Sequence, residues 1–103
     1  MLLDVLERLM LQGVLPSEGN FVTMRVIRDL RGELSFSETE IAEFEIADGE
    51  GQVTWNKSKE SPKDITIGVK ATEIIAKALE KMDAENKLTQ QHLPLYEKFM
   101  GTE

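Results

Sequence analysis

The stretch Ser37–Trp55, SETEIAEFEIADGEGQVTW, changes its period halfway along, and that change decides the fold class. Its first four residues match a capping box: the Ser37 hydroxyl accepts from the Glu40 amide while the Glu40 side chain reaches back to the Ser37 amide. A short helix is therefore predicted to begin here. Beyond it, Phe44 and Ile46 alternate with Glu45 and Ala47, and Val53 and Trp55 alternate with Gln52 and Thr54, the pattern of two half-buried strands. Setting Ile46 against Val53 and Phe44 against Trp55 centres the turn between Gly49 and Glu50, a type II′ hairpin with glycine at its first central position. That register collects four apolar side chains on one face and leaves the loop carboxylates at an exposed tip.

Helical periodicity governs the flanks. Leu2, Leu3, Val5, Leu6, Leu9 and Met10 form a wide stripe over Leu2 to Gln12, with Gly13 as the expected stop. The width exceeds what one core contact requires, so the stripe is expected to face the core and to leave apolar surface for a homodimer through this N-terminal helix. Next, Asn20 stands as N-cap, Phe21, Met24, Ile27 and Leu30 recur at intervals of three, and Gly32 follows the last basic turn. Arg25, Arg28 and Arg31 make a second stripe, suited to the negative end of the helix dipole and to pairing with the acidic segment. After the polar loop NKSKESPKD, Ile65 and Ile67 predict a third short strand. Ala71, Ile74, Ile75, Ala78, Leu79 and Met82 then give the clearest helix, about Val69 to Asn86. Thr89 caps a last helix carrying Leu93, Tyr96 and Phe99, which starts late because Pro94 fits only its first turn.

These elements predict a single α+β domain over residues 1–103: about five helices and a small antiparallel β-sheet, made of the 44–55 hairpin and a strand near 65–67. Length supports one core rather than two. The order helix, helix, helix, hairpin is winged-helix-like. The apolar start is broken by Asp4, Glu7 and Arg8, lacks a basic leader and is too short an apolar run to span a bilayer, so no membrane association is expected.

Charge is segregated along the chain. Residues 1–31 hold four acids against four arginines, residues 57–103 eight acids against eight lysines, and the whole net charge of −7 falls on residues 32–56, which contain no Lys or Arg. Such a segment carries a local negative potential that steers a basic partner. Capping accounts for Glu38 and Glu40, so Glu43, Glu45, Asp48 and Glu50 are the candidate partner-binding residues. In a winged helix the third helix and the wing approach nucleic acid, and here these elements are acidic, so phosphate would repel them. A DNA-binding regulator using Arg25, Arg28 and Arg31 is the alternative.

Catalysis finds little to work with. The chain has no cysteine and one histidine, His92, which is expected on the surface beside a helix start. Paired carboxylates at a hairpin tip lack the desolvated setting that separates their pKa values. DAENK, from Asp83, puts Leu88 where a calcium loop needs glycine, and no glycine-rich phosphate loop occurs. Neither a metal nor any other cofactor is expected, and the reading is of a protein that is not an enzyme. The lack of cysteine suits a reducing cytoplasm.

LSFSETEI, VTW, ITIGVKATEIIAKAL and KLTQQHLPLYEKF together resemble small proteins of tailed bacteriophages and prophages, over most of the chain from Leu15 onward. The resemblance brings no catalytic residues. It implies a bacterial cytoplasmic setting and an accessory protein that acts by binding a host or phage factor, such as an inhibitor covering the basic surface of a nucleic-acid-handling host or defence protein.

Overall fold

Asp4 rather than Leu2 begins the first helix. In the computed structural model, which describes residues 1–101, the Asp4 carboxylate accepts from the Glu7 amide at 2.8 Å and Glu7 accepts from the Asp4 amide at 3.1 Å, a capping box that starts α1 (Val5–Val14). The two leucines before it are thereby excluded from the helix. They form a strand, β1 (Leu2–Leu3), with Leu3 buried and Leu2 exposed, as alternation in a strand requires. Gly13 does not stop α1; the helix runs one residue further and ends at Leu15, which Pro16 holds extended by blocking the helical region for its predecessor.

Asn20 caps α2 (Phe21–Leu34) by accepting from the Thr23 amide at 2.8 Å. The helix continues through Gly32, because glycine is permitted inside a helix when tertiary contacts favour it, and Ile27, Leu30 and Leu34 are its buried residues. Phe21 departs from the predicted inward stripe and is 75% exposed. α3 (Glu38–Glu43) starts at the Ser37–Glu40 capping box as expected, with bonds of 3.1 and 3.0 Å.

The hairpin forms between β2 (Ala47–Gly49) and β3 (Gln52–Thr54), later than predicted. Asp48, not Ile46, faces Val53, and the turn is centred on Glu50 and Gly51. Both central residues have positive φ, 50° and 79°, as in a type I′ turn, so Gly51 rather than Gly49 supplies the glycine. Phe44 is no strand residue: it is the helical C-cap of α3 and is buried. The third strand, β4 (Lys63–Asp64), precedes Ile65 and Ile67 and pairs antiparallel with β1, not with the hairpin. The fold is thus α+β with two separate two-stranded antiparallel sheets. Ile65 is still buried, just past the strand.

α4 (Val69–Ala84) buries Ala71, Ile75 and Leu79. A 3-10 turn, Gln90–His92, leads into α5 (Leu93–Met100), which carries Pro94 in its first turn as anticipated. The buried residue of α5 is Leu95, while Leu93 lies exposed. α1 packs against α2, α4 and α5; Val5, Leu11 and Val14 are buried, Leu6, Leu9 and Met10 are half-buried, and only Gly13 is exposed. No helix among the described residues is long and apolar enough to cross a membrane.

Candidate functional site

The acidic segment divides into carboxylates the fold uses and carboxylates it leaves to solvent. Glu40 belongs to the first kind. Its oxygens receive Arg8 Nη1 at 2.6 Å and Nη2 at 3.3 Å, a two-pronged ion pair in which Arg8 is 1% exposed. The same guanidinium donates through Nε to the Leu34 carbonyl at 3.2 Å and through Nη2 to the Ser35 carbonyl at 2.6 Å. It therefore satisfies the end of α2 and anchors the start of α3 at once, and its planar group also stacks 4.0 Å from the centroid of Phe36. Arg8, which the sequence presents only as an interruption of an apolar stripe, is the central polar residue of the molecule. The Arg8 hydrogen bond holds the Glu40 carboxyl at about 2, down from an ordinary 4.5, with the Ser37 amide and the charges of Arg8 and Lys63 adding to it against partial burial.

Glu43, Glu45, Asp48 and Glu50 are all exposed, as predicted. Glu43 ends α3, Glu45 follows in a left-handed conformation at φ 56°, and Asp48 and Glu50 ride the hairpin. The segment itself contains no Lys or Arg, but one cation from outside it comes beside these carboxylates. The loop after β3 returns Lys59 to within 3.8 Å of Glu45, and Asn56 donates to the same carboxylate at 2.6 Å. Glu43, Asp48 and Glu50 have no such ion pair among the described residues. Only Val53 of the two hairpin strands is even half-buried, so the ribbon projects from the body. Its exit is fastened by the Trp55 indole, which donates to Glu60, whose other oxygen accepts from the Val5 amide at 3.4 Å.

Arg25 and Arg28 lie exposed on α2 and Arg31 is half-buried. None pairs with the acidic segment among the described residues: Arg28 meets its own neighbour Asp29 at 3.5 Å, and Arg25 lies 5.9 Å over Phe21. Besides Lys59 at Glu45, the cation that reaches the segment comes from α1, because Arg8 faces the junction between α2 and α3. His92 is buried rather than superficial. Its Nδ1 accepts from the Thr89 amide at 3.0 Å, and the Thr89 hydroxyl sits 3.0 Å from the same nitrogen, so the ring closes the turn before α5. Among the described residues no cluster of three or more His, Cys, Asp or Glu side chains is arranged to hold a metal ion. No protein-family model, curated protein or solved structure matches this chain.

Proposed function

We propose that this chain is a non-enzymatic protein-binding module that presents Glu43, Glu45, Asp48 and Glu50 to a basic surface on another protein. The observation that carries this reading is the placement of four exposed carboxylates on one helix end and one projecting ribbon, in the quarter of the sequence that bears the entire net charge. Charge concentrated in this way accelerates encounter with a basic partner and sets orientation, while solubility alone calls for no such segregation. With the likeness to phage and prophage proteins, the partner is a bacterial host or defence protein whose basic surface handles nucleic acid, and the module acts in the cytoplasm as an inhibitor occupying that surface.

The test is capture from a bacterial lysate by the wild-type chain and by E43K/E45K/D48K/E50K, followed by identification of the captured protein and its affinity at several salt concentrations. Circular dichroism should be unchanged in the variant, since all four positions are exposed. Affinity should fall by about tenfold or more and lose most of its salt dependence. Equal affinity of the two chains would remove the acidic segment from the mechanism. A salt-dependent shift of duplex DNA that disappears on replacing Arg25, Arg28 and Arg31 would instead favour a winged-helix-like regulator.

A further inference from the structure

A groove beside the far end of α1 carries the opposite charge. α1 is ten residues long, about 15 Å. Its first half reaches the acidic region through the Arg8–Glu40 pair, whereas Gly13 and Val14 at its last turn open onto a groove of about 530 Å³ beside α4. Lys70, Lys77 and Lys81, spaced seven and four residues apart on one face of α4, border this groove, and Lys87 closes it. Its floor is apolar, made by Val14, Ile74, Ala78 and Met82. Two carboxylates also reach the rim: Glu85 is paired with Lys87 at 3.3 Å, and Glu73 lies one turn from Lys77. The balance remains positive, in a molecule whose overall charge is −7.

From this arrangement we propose that the groove docks an acidic amphipathic helix of a partner protein. A helix of that kind lays its apolar stripe on the Ile74, Ala78 and Met82 floor while carboxylates along its flanks meet Lys70, Lys77 and Lys81. A second copy of this chain fits less well, because its acidic ribbon has Asp48, Gly49, Glu50 and Gly51 at the tip and offers the floor no apolar anchor. A polyanion without apolar groups would leave the same floor uncovered. The groove shares no residue with the acidic ribbon.

The probe is a synthetic 16-residue helical peptide with leucines at i, i+3, i+4 and i+7 spacing and glutamates on the flanks, titrated into the full-length ¹⁵N-labelled chain. Amide shifts are expected at Gly13, Val14, Thr23, Ala78 and Met82, with the ribbon unaffected. K77E/K81E, at exposed positions, should keep the fold and weaken binding at least about tenfold, and replacing the peptide leucines by serine should do the same. Any of four results would overturn the proposal: no binding at millimolar peptide, shifts located elsewhere, unchanged affinity of K77E/K81E, or full retention of affinity by the serine peptide. Concentration-dependent self-association that K77E/K81E abolishes would also overturn it, in favour of a second copy.

Discussion

A single arginine joins three helices of this protein. Arg8 is nearly free of solvent contact, and its guanidinium reaches the last carbonyls of α2 and the Glu40 carboxylate of α3. Removing Arg8 leaves the Glu40 charge and the Ser35 carbonyl without their partner, and leaves the Leu34 carbonyl only the 3.4 Å bond from Gln12. Arg8→Ala is therefore expected to destabilise the fold by about 3 kcal/mol in urea unfolding, and Arg8→Lys to recover only part, because an ammonium cannot reproduce the planar fork. Glu40 supplies a pH signature. Its folded-state pKa of about 2 lies below the ordinary 4.5, so its contribution is fully present above pH 4.5 and is lost as the pH falls toward 2. The contribution is about 2 kcal/mol after allowing for solvent around the carboxylate. Glu40→Gln should lower stability at pH 7 and flatten the acid limb between those pH values, which paired pH-dependent unfolding curves would measure. An unchanged acid limb would mean that the ion pair contributes nothing.

At the scale of elements, the hairpin is the piece whose register sequence reasoning places wrongly. Gly49 and Gly51 flank Glu50, and alternation alone favours starting the strands at Phe44 and using Gly49 as the turn glycine. The capped helix α3 wins those residues instead, holding Phe44 in its C-cap, and Ile46 donates its amide back to the Ile41 carbonyl at 3.0 Å. The ribbon then shortens to three residues a strand and turns at Glu50–Gly51. Gly51→Ala places a Cβ in a left-handed conformation and should cost about 1 kcal/mol, whereas Glu50→Asn should relieve strain at the adjacent positive φ. Since the strands are nearly all exposed, both effects are expected in amide exchange of Ala47–Thr54 with little change in the global unfolding midpoint. Ser37→Ala, by contrast, removes an N-cap and should lower global stability by about 1 kcal/mol.

On the scale of the whole molecule, α1 is the axis about which the rest is arranged. Leu11 on it is fully buried among α2, α4 and α5, and Lys98 of α5 clasps its start by donating to Leu2 O at 2.8 Å and pairing with Glu7 at 2.7 Å. Leu11→Ala should cost about 3 kcal/mol, the usual penalty for a cavity at a site that cannot collapse. Phe21→Ala, at a position the recurrence at intervals of three assigns to the core but the fold leaves exposed, should change stability by less than about 0.5 kcal/mol. Thermal or urea unfolding of the two variants would distinguish them clearly. The same helix, α1, meets the acidic segment at Arg8 and the lysine-bordered groove at Gly13 and Val14.

What the sequence determined by itself is local. The Ser37 and Asn20 caps, the α4 stripe, the late start of α5 at Pro94 and the exposure of Glu43, Glu45, Asp48 and Glu50 all follow from contacts within a few residues, where chemistry and spacing are sufficient. The Asp4–Glu7 capping box was legible by the same rule, though the apolar run around it conceals it. Only the tertiary structure decided which strand pairs with β1, where α2 ends and which arginine meets the acidic segment. Each of those outcomes depends on groups far apart in sequence, Leu2 with Asp64 and Arg8 with Leu34 and Glu40, whose satisfaction requires the packed core to bring them together.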